Sequence, residues 1–162
     1  MGTRNQVVPA FEKVLIPPAA QGSQALVEAD LLDVSVIFTS PGATIAALKK
    51  AGALAAKLNA RITLVVPQIV PFPAPLTTPP VLLDFQEMRL RAIAEASPVD
   101  VTVRIYLCRE RWDALIAALK PHSLVVLASR RKWWRTREMR LATRLRKAGH
   151  EVIVTEMEVA HA

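Results

Sequence analysis

Two hydrophobic periods run along the chain. Residues 34–39 are a β-branched and aromatic run with few charges, which predicts a strand covered on both faces. Ser40, Pro41 and Gly42 follow as a turn, with Ser40 placed to cap a helix and Pro41 at its first position. Over residues 43–58 the apolar positions Ile45, Leu48, Ala51, Ala55 and Leu58 recur at three- and four-residue steps, so this segment reads as an amphipathic helix. Gly52 weakens that helix but permits close packing. Residues 61–66 read as a second strand, and the proline-rich stretch up to Pro80 as an extended apolar loop beyond it.

In residues 84–96, Phe85, Met88, Ala92, Ile93 and Ala96 share one face of a second helix, broken by Ser97 and Pro98. Residues 99–107 alternate Val101, Val103, Ile105 and Leu107 with Thr102, Arg104 and Tyr106, the signature of a half-exposed or outer strand. A short helix around Trp112, Leu115, Ile116 and Leu119 ends before Pro121. Residues 123–128 are another buried-type strand, residues 136–148 a fourth helix stopped by Gly149, and residues 151–155 a last strand. Strands and helices alternate, and each crossover is long enough for a right-handed parallel connection. The predicted fold is a five-stranded parallel sheet with helices on both faces, a doubly wound α/β domain over residues 34–162. Residues 1–33 form an N-terminal extension in which 13–16 is a candidate edge strand and 25–32 a candidate helical turn.

Composition agrees with a packed core: 52% of the 162 residues are apolar, 22% are charged, and mean hydropathy is +0.27. Residues 62–83 carry no charge over 22 positions, long enough to ask whether they span a membrane. Pro67, Pro71, Pro73, Pro75, Pro79 and Pro80 exclude a continuous spanning helix there, because each removes a backbone donor. Cys108 has no partner cysteine and the three histidines are scattered, so neither a disulfide framework nor a metal-ligand spacing is present. A lone cysteine suits a reducing compartment, and residues 1–10 lack the apolar core of a signal peptide, so a cytoplasmic location is expected. Cys108 sits near Arg109 and Arg111, which would lower its pKa, although a lone strand cysteine is usually inert.

The strand at 34–39 with its alanine-rich helix, the run Ala60-Arg61-Ile62-Thr63-Leu64-Val65-Val66, the run from Ser123 to Arg130 and the strand Glu151-Val152-Ile153-Val154 together resemble the universal stress protein family. That resemblance implies a nucleotide-binding α/β sandwich, a role in stress response and a homodimer paired through the last strand. It also implies a nucleotide crevice, whose positions here are Thr39, Ser40, Pro67, Ala128, Ser129, Arg130 and Arg131. ATP-binding members carry an acidic residue where this chain has Thr39, and a glycine-rich phosphate loop after the fourth strand. Residues 129–148 contain no glycine, so the bare backbone amides that approach phosphate closely are missing. Trp133 and Trp134 are candidates to plug the vacant side of the pocket.

Charge is concentrated in one segment. Residues 130–147 hold nine Lys or Arg and one acidic residue, a net +8, whereas the rest of the chain, with 12 basic and 13 acidic residues, is near neutral. Arg137, Arg140, Arg144 and Lys147 step by three or four and form a cationic stripe, which is either a solvated face or a contact for nucleic acid, another polyanion or a membrane surface. No Ser-His-Asp arrangement or nucleophile elbow occurs, and Glu110 and Asp113 suit a helix start better than catalysis. The expected function is a non-catalytic regulatory or interaction domain without a cofactor. Two alternatives stand beside it: an ATP or AMP binder that uses Ser and Arg side chains, and a polyanion binder.

Overall fold

The computed structural model describes residues 10–15, 32–76, 83–95, 97–130 and 136–157. Six strands, β1 (Ala10–Leu15), β2 (Asp33–Ile37), β3 (Arg61–Ile69), β4 (Val101–Cys108), β5 (Leu124–Ser129) and β6 (Glu151–Glu156), form one parallel sheet in the order β1-β4-β3-β2-β5-β6. Among the described residues four helices, α1 (Pro41–Leu58), α2 (Leu83–Ala94), α3 (Arg111–Ala118) and α4 (Arg137–Lys147), make the crossovers from β2 through to β6. The five predicted strands are all present, doubly wound about β2. β1 adds a sixth at the edge, pairing Ala10 through Leu15 with Thr102 through Leu107, so the edge strand expected at 13–16 begins three residues earlier. The candidate turn at 25–31 lies outside the described residues.

Each face of the sheet has its own core. Val34, Val36, Leu64 and Val103 join the alanine face of α1 and Leu90 and Ile93 of α2 on one side. Ile37, Val65, Tyr106, Val125 and Leu127 meet Leu115 of α3 and Ala142 and Leu145 of α4 on the other. Alternation in β4 is lost from Ile105 onward because α3 covers its second face and β1 covers its edge, so Tyr106, Leu107 and Cys108 are buried along with Ile105. This inner position corrects the reading of β4 as a half-exposed or outer strand.

Local chemistry explains where the helices start and stop. Ser40 caps α1, its Oγ accepting from the Ala43 N–H at 3.4 Å, with Pro41 in the first turn. Asn59 ends α1 in the left-handed region at φ 51°, which its short polar side chain tolerates. A Cβ at Gly52 would fall inside van der Waals contact of the Pro98 ring, so glycine lets the α2–β4 connection lie directly on α1. After α4, Gly149 at φ 96° donates to the Arg146 carbonyl at 3.0 Å, and His150 to that of Leu145 at 3.1 Å, the paired bonds of a Schellman stop.

α2 is rotated relative to its predicted face. Leu90, Ile93 and Ala94 are buried against α1, whereas Phe85 is 58% and Met88 68% exposed. Two apolar stripes coexist on this helix. The compact i, i+3, i+4 triad of Leu90, Ile93 and Ala94 fits the small alanines of α1, which carries Gln86 inward and leaves Phe85, Met88 and Ala92 outward. Leu58 of α1 is likewise exposed.

Asp33, at the start of β2, receives the Thr63 hydroxyl at 3.0 Å on both carboxylate oxygens. Burial nevertheless raises its pKa above the ordinary 3.8, outweighing the Thr63 bond and the nearby Lys120, Arg104 and Arg61. Above pH 3.8 the unfolded chain releases this proton while the native state still holds it, so stability falls as pH rises towards the native pKa and then levels. Asp33→Asn is expected to match the parent in urea unfolding at acidic pH and to exceed it at neutral pH. Parallel unfolding curves with no gain at neutral pH would refute this.

Candidate functional site

The carboxyl edge of the sheet is shaped by a missing amide. Phe38 donates to the Val65 carbonyl at 2.9 Å, and in a parallel ladder the next rung would run from the N–H of residue 67 back to the Phe38 carbonyl. Residue 67 is proline, so the rung cannot form and β2 ends at Ile37. On its other side β3 pairs without interruption, Pro67 with Tyr106, Gln68 with Leu107 and Ile69 with Cys108. β3 thus runs three residues beyond its predicted end, with its proline facing the side where no partner is needed.

A cavity of about 240 Å³ lies at this parting, bounded by Phe38, Thr39 and Pro41, by Val66, Pro67 and Gln68, and by α2. Leu90 and Ile93 supply apolar wall, Gln86 an amide, and Arg89 and Arg111 positive charge at exposed positions. The Gln86 Oε1 is buried without a hydrogen-bond partner. An acceptor left in that state destabilises a fold by about 1–3 kcal/mol.

Of the predicted crevice residues, Thr39 and Pro67 line this cavity. The Thr39 N–H donates to Thr44 Oγ1 at 3.3 Å, and Ser40 is engaged in capping α1. Ala128 and Ser129 end β5, on the other side of β2, and both are buried. The Ser129 and Thr136 hydroxyls lie 3.0 Å apart, and Thr136 Oγ1 accepts from the Met139 N–H at 3.2 Å as the cap of α4. Arg130 is exposed, and Arg131, Trp133 and Trp134 lie outside the described residues. The sequence reading missed Gln68, Gln86, Arg89 and Arg111; the available signal was a glutamine in register with Leu90 and Ile93 on α2.

Arg137, Arg140, Arg144 and Lys147 are exposed along α4, as the spacing predicts. Arg144 also stacks on the Trp112 ring, its guanidinium carbon 3.8 Å from the centroid. Arg146 donates to the Val152 carbonyl at 2.9 Å, tying α4 to β6.

Burial pushes the Cys108 thiol up, Asp113 adds to the rise and Arg111 opposes it, which corrects the expectation that neighbouring arginines lower it. Arg109 is turned away towards the proline loop. Its Nη1 donates to the carbonyls of Val70 at 2.9 Å and Ala74 at 2.8 Å, and its guanidinium lies 4.3 Å from the Phe72 ring centroid. Val70 is buried and donates to the Cys108 carbonyl at 2.9 Å, so the first turn of the loop folds back on the domain.

No protein-family model and no curated protein matches the chain. Among solved structures, the chain is similar to a universal stress protein determined in complex with cAMP: TM-score 0.50, 19% identity, 80% of this chain and 100% of that one. At that identity the likeness is one of fold. Among the described residues, no helix is long and apolar enough to cross a membrane and no three His, Cys, Asp or Glu gather as a metal site.

Arg109→Ala removes a cation bonded to two loop carbonyls, each such bond being worth about 1.5–3 kcal/mol. The Val70 and Ala74 amides should then exchange with solvent about tenfold faster or more, with the β2 and β5 amides unchanged. Arg109→Lys should not restore them, since an ammonium lacks the planar surface that lies over Phe72. Unchanged exchange at both positions would show that the loop is held by other contacts.

Proposed function

We propose that the chain is a universal-stress-protein-like regulatory or interaction domain that is not catalytic and does not hold ATP through a glycine-lined loop. The observation that carries this reading is the end of β5, where the Ser129 hydroxyl is buried against Thr136 and residues 129–148 contain no glycine. Phosphates seated there would need bare amides at close approach. Ser129 instead joins β5 to the cap of α4, and its carbonyl accepts from the Met157 N–H at 2.9 Å. β6 pairs only with β5 among the described residues, which favours a homodimer formed along that edge.

Isothermal titration with ATP, ADP, AMP and cAMP is the test. No micromolar binding of any of the four is expected. Micromolar binding abolished by Arg131→Ala would replace this reading with the alternative of a nucleotide held by Ser and Arg side chains.

A second reading, a polyanion binder, is favoured by the exposed stripe on α4 and the confinement of the basic excess to its segment. Under it, the protein is retained on heparin at low salt, elutes steeply with added salt, and loses retention in Arg137→Ala/Arg140→Ala. Passage through the column unretained at low salt eliminates it.

A further inference from the structure

The cationic stripe of α4 carries a feature that charge alone does not need. Arg144 lies on the Trp112 ring of α3 with its guanidinium carbon 3.8 Å from the centroid, a stacking distance, and is still exposed. Trp112 is half-buried and packs against the core on that face of the sheet, which holds the ring in place. A planar, delocalised cation is thereby kept at the surface with one face on the indole and the other towards solvent. Arg137, Arg140 and Lys147 continue the stripe at steps of three or four residues, so they share the Arg144 side of the helix, and all three are exposed. Glu138, the single acidic residue of α4, is half-buried. At the two ends of α3, exposed Arg111 and Lys120 outnumber exposed Glu110. Arg146 lies on the other flank of α4 and bonds to the Val152 carbonyl of β6, so pairing of two copies along β6 makes no demand on the stripe.

We propose that this surface binds single-stranded nucleic acid: Arg137, Arg140 and Lys147 take the phosphates, and a base stacks on the outer face of the Arg144 guanidinium, completing a base–arginine–indole stack. Resting on the polyanion reading of the stripe, it names the polyanion by two properties: phosphate charge for the stripe as a whole and an open π-face for its one planar, pre-stacked cation. In a duplex the bases are stacked on one another and their faces are closed to a side chain, whereas a single strand exposes them. Sulfated sugars and acidic side chains match the charge but offer no such face. Trp112 is a positioning residue, since a guanidinium already held on the ring loses less side-chain freedom when the base arrives.

The test is fluorescence anisotropy of the full chain at low salt with a labelled oligothymidylate of about 12 nucleotides, and with an abasic strand of the same length that keeps the phosphates and lacks the bases. The oligothymidylate is expected to bind about tenfold more tightly than the abasic strand. Arg144→Lys, an exposed substitution that keeps the charge and removes the plane, should abolish this preference while leaving abasic-strand affinity and heparin elution as in the parent. Trp112→Leu should abolish the preference as well, by releasing the guanidinium. Equal affinity for the two strands in a protein still retained on heparin would overturn the proposal and leave the polyanion reading standing; binding of neither strand, with no retention on heparin, would remove both. A preference that survives in Arg144→Lys or Trp112→Leu, or tighter binding of polyglutamate than of oligothymidylate, also overturns it.

Discussion

One absent hydrogen governs the architecture of the carboxyl edge. Within a parallel sheet the N–H groups of successive residues point alternately to the two neighbouring strands, and in β3 the position directed at the Phe38 carbonyl is Pro67. β2 therefore stops at Ile37 and its chain leaves through Thr39 and Ser40 into α1, while β3 stays paired with β4 as far as Ile69. The space opened between two strands that have parted is the cavity. Its chemical character then follows from which face of α2 is turned to close it.

Polar groups at this edge divide into two sets with different uses. Around the end of β5, the Ser129, Thr136 and Met139 groups are joined to one another and to the start of α4. Around the parting of β2 and β3, the Gln86 oxygen, Arg89 and Arg111 have no such engagement among the described residues. The first set is structural. The second borders open volume. Arg109 belongs with the structural groups, since its two carbonyl bonds and its ring contact hold the start of the apolar loop beside Cys108.

Most of the fold was legible because its signals were local and consistent. Ser40 followed by Pro41 marks the start of α1, Gly149 marks the end of α4, and the charge-poor runs of β2 and β5 identify central strands. Misreadings arose where two local signals competed and tertiary packing chose between them. α2 carries two apolar stripes, and the stripe with larger side chains faces solvent because α1 presents alanines that suit Leu90, Ile93 and Ala94. Pro67 resembles a strand terminator, yet only the ladder register shows which neighbour loses a bond. β4 alternates like an outer strand, and its burial depends on α3, which covers its second face, while β1, a segment far away in the chain, pairs with its edge. The cavity residues escaped notice for the same reason: Gln86 is unremarkable on an outer face and informative only on an inner one.

Hydrogen exchange in Pro67→Val addresses the parting of the strands most directly. If the missing amide is what separates β2 from β3, restoring it lets residue 67 donate to the Phe38 carbonyl, and its new N–H should exchange about 100-fold more slowly than an unstructured amide. Exchange of that amide at the unstructured rate, in a protein otherwise folded as the parent, would mean that the strands diverge for another reason and would contradict the account.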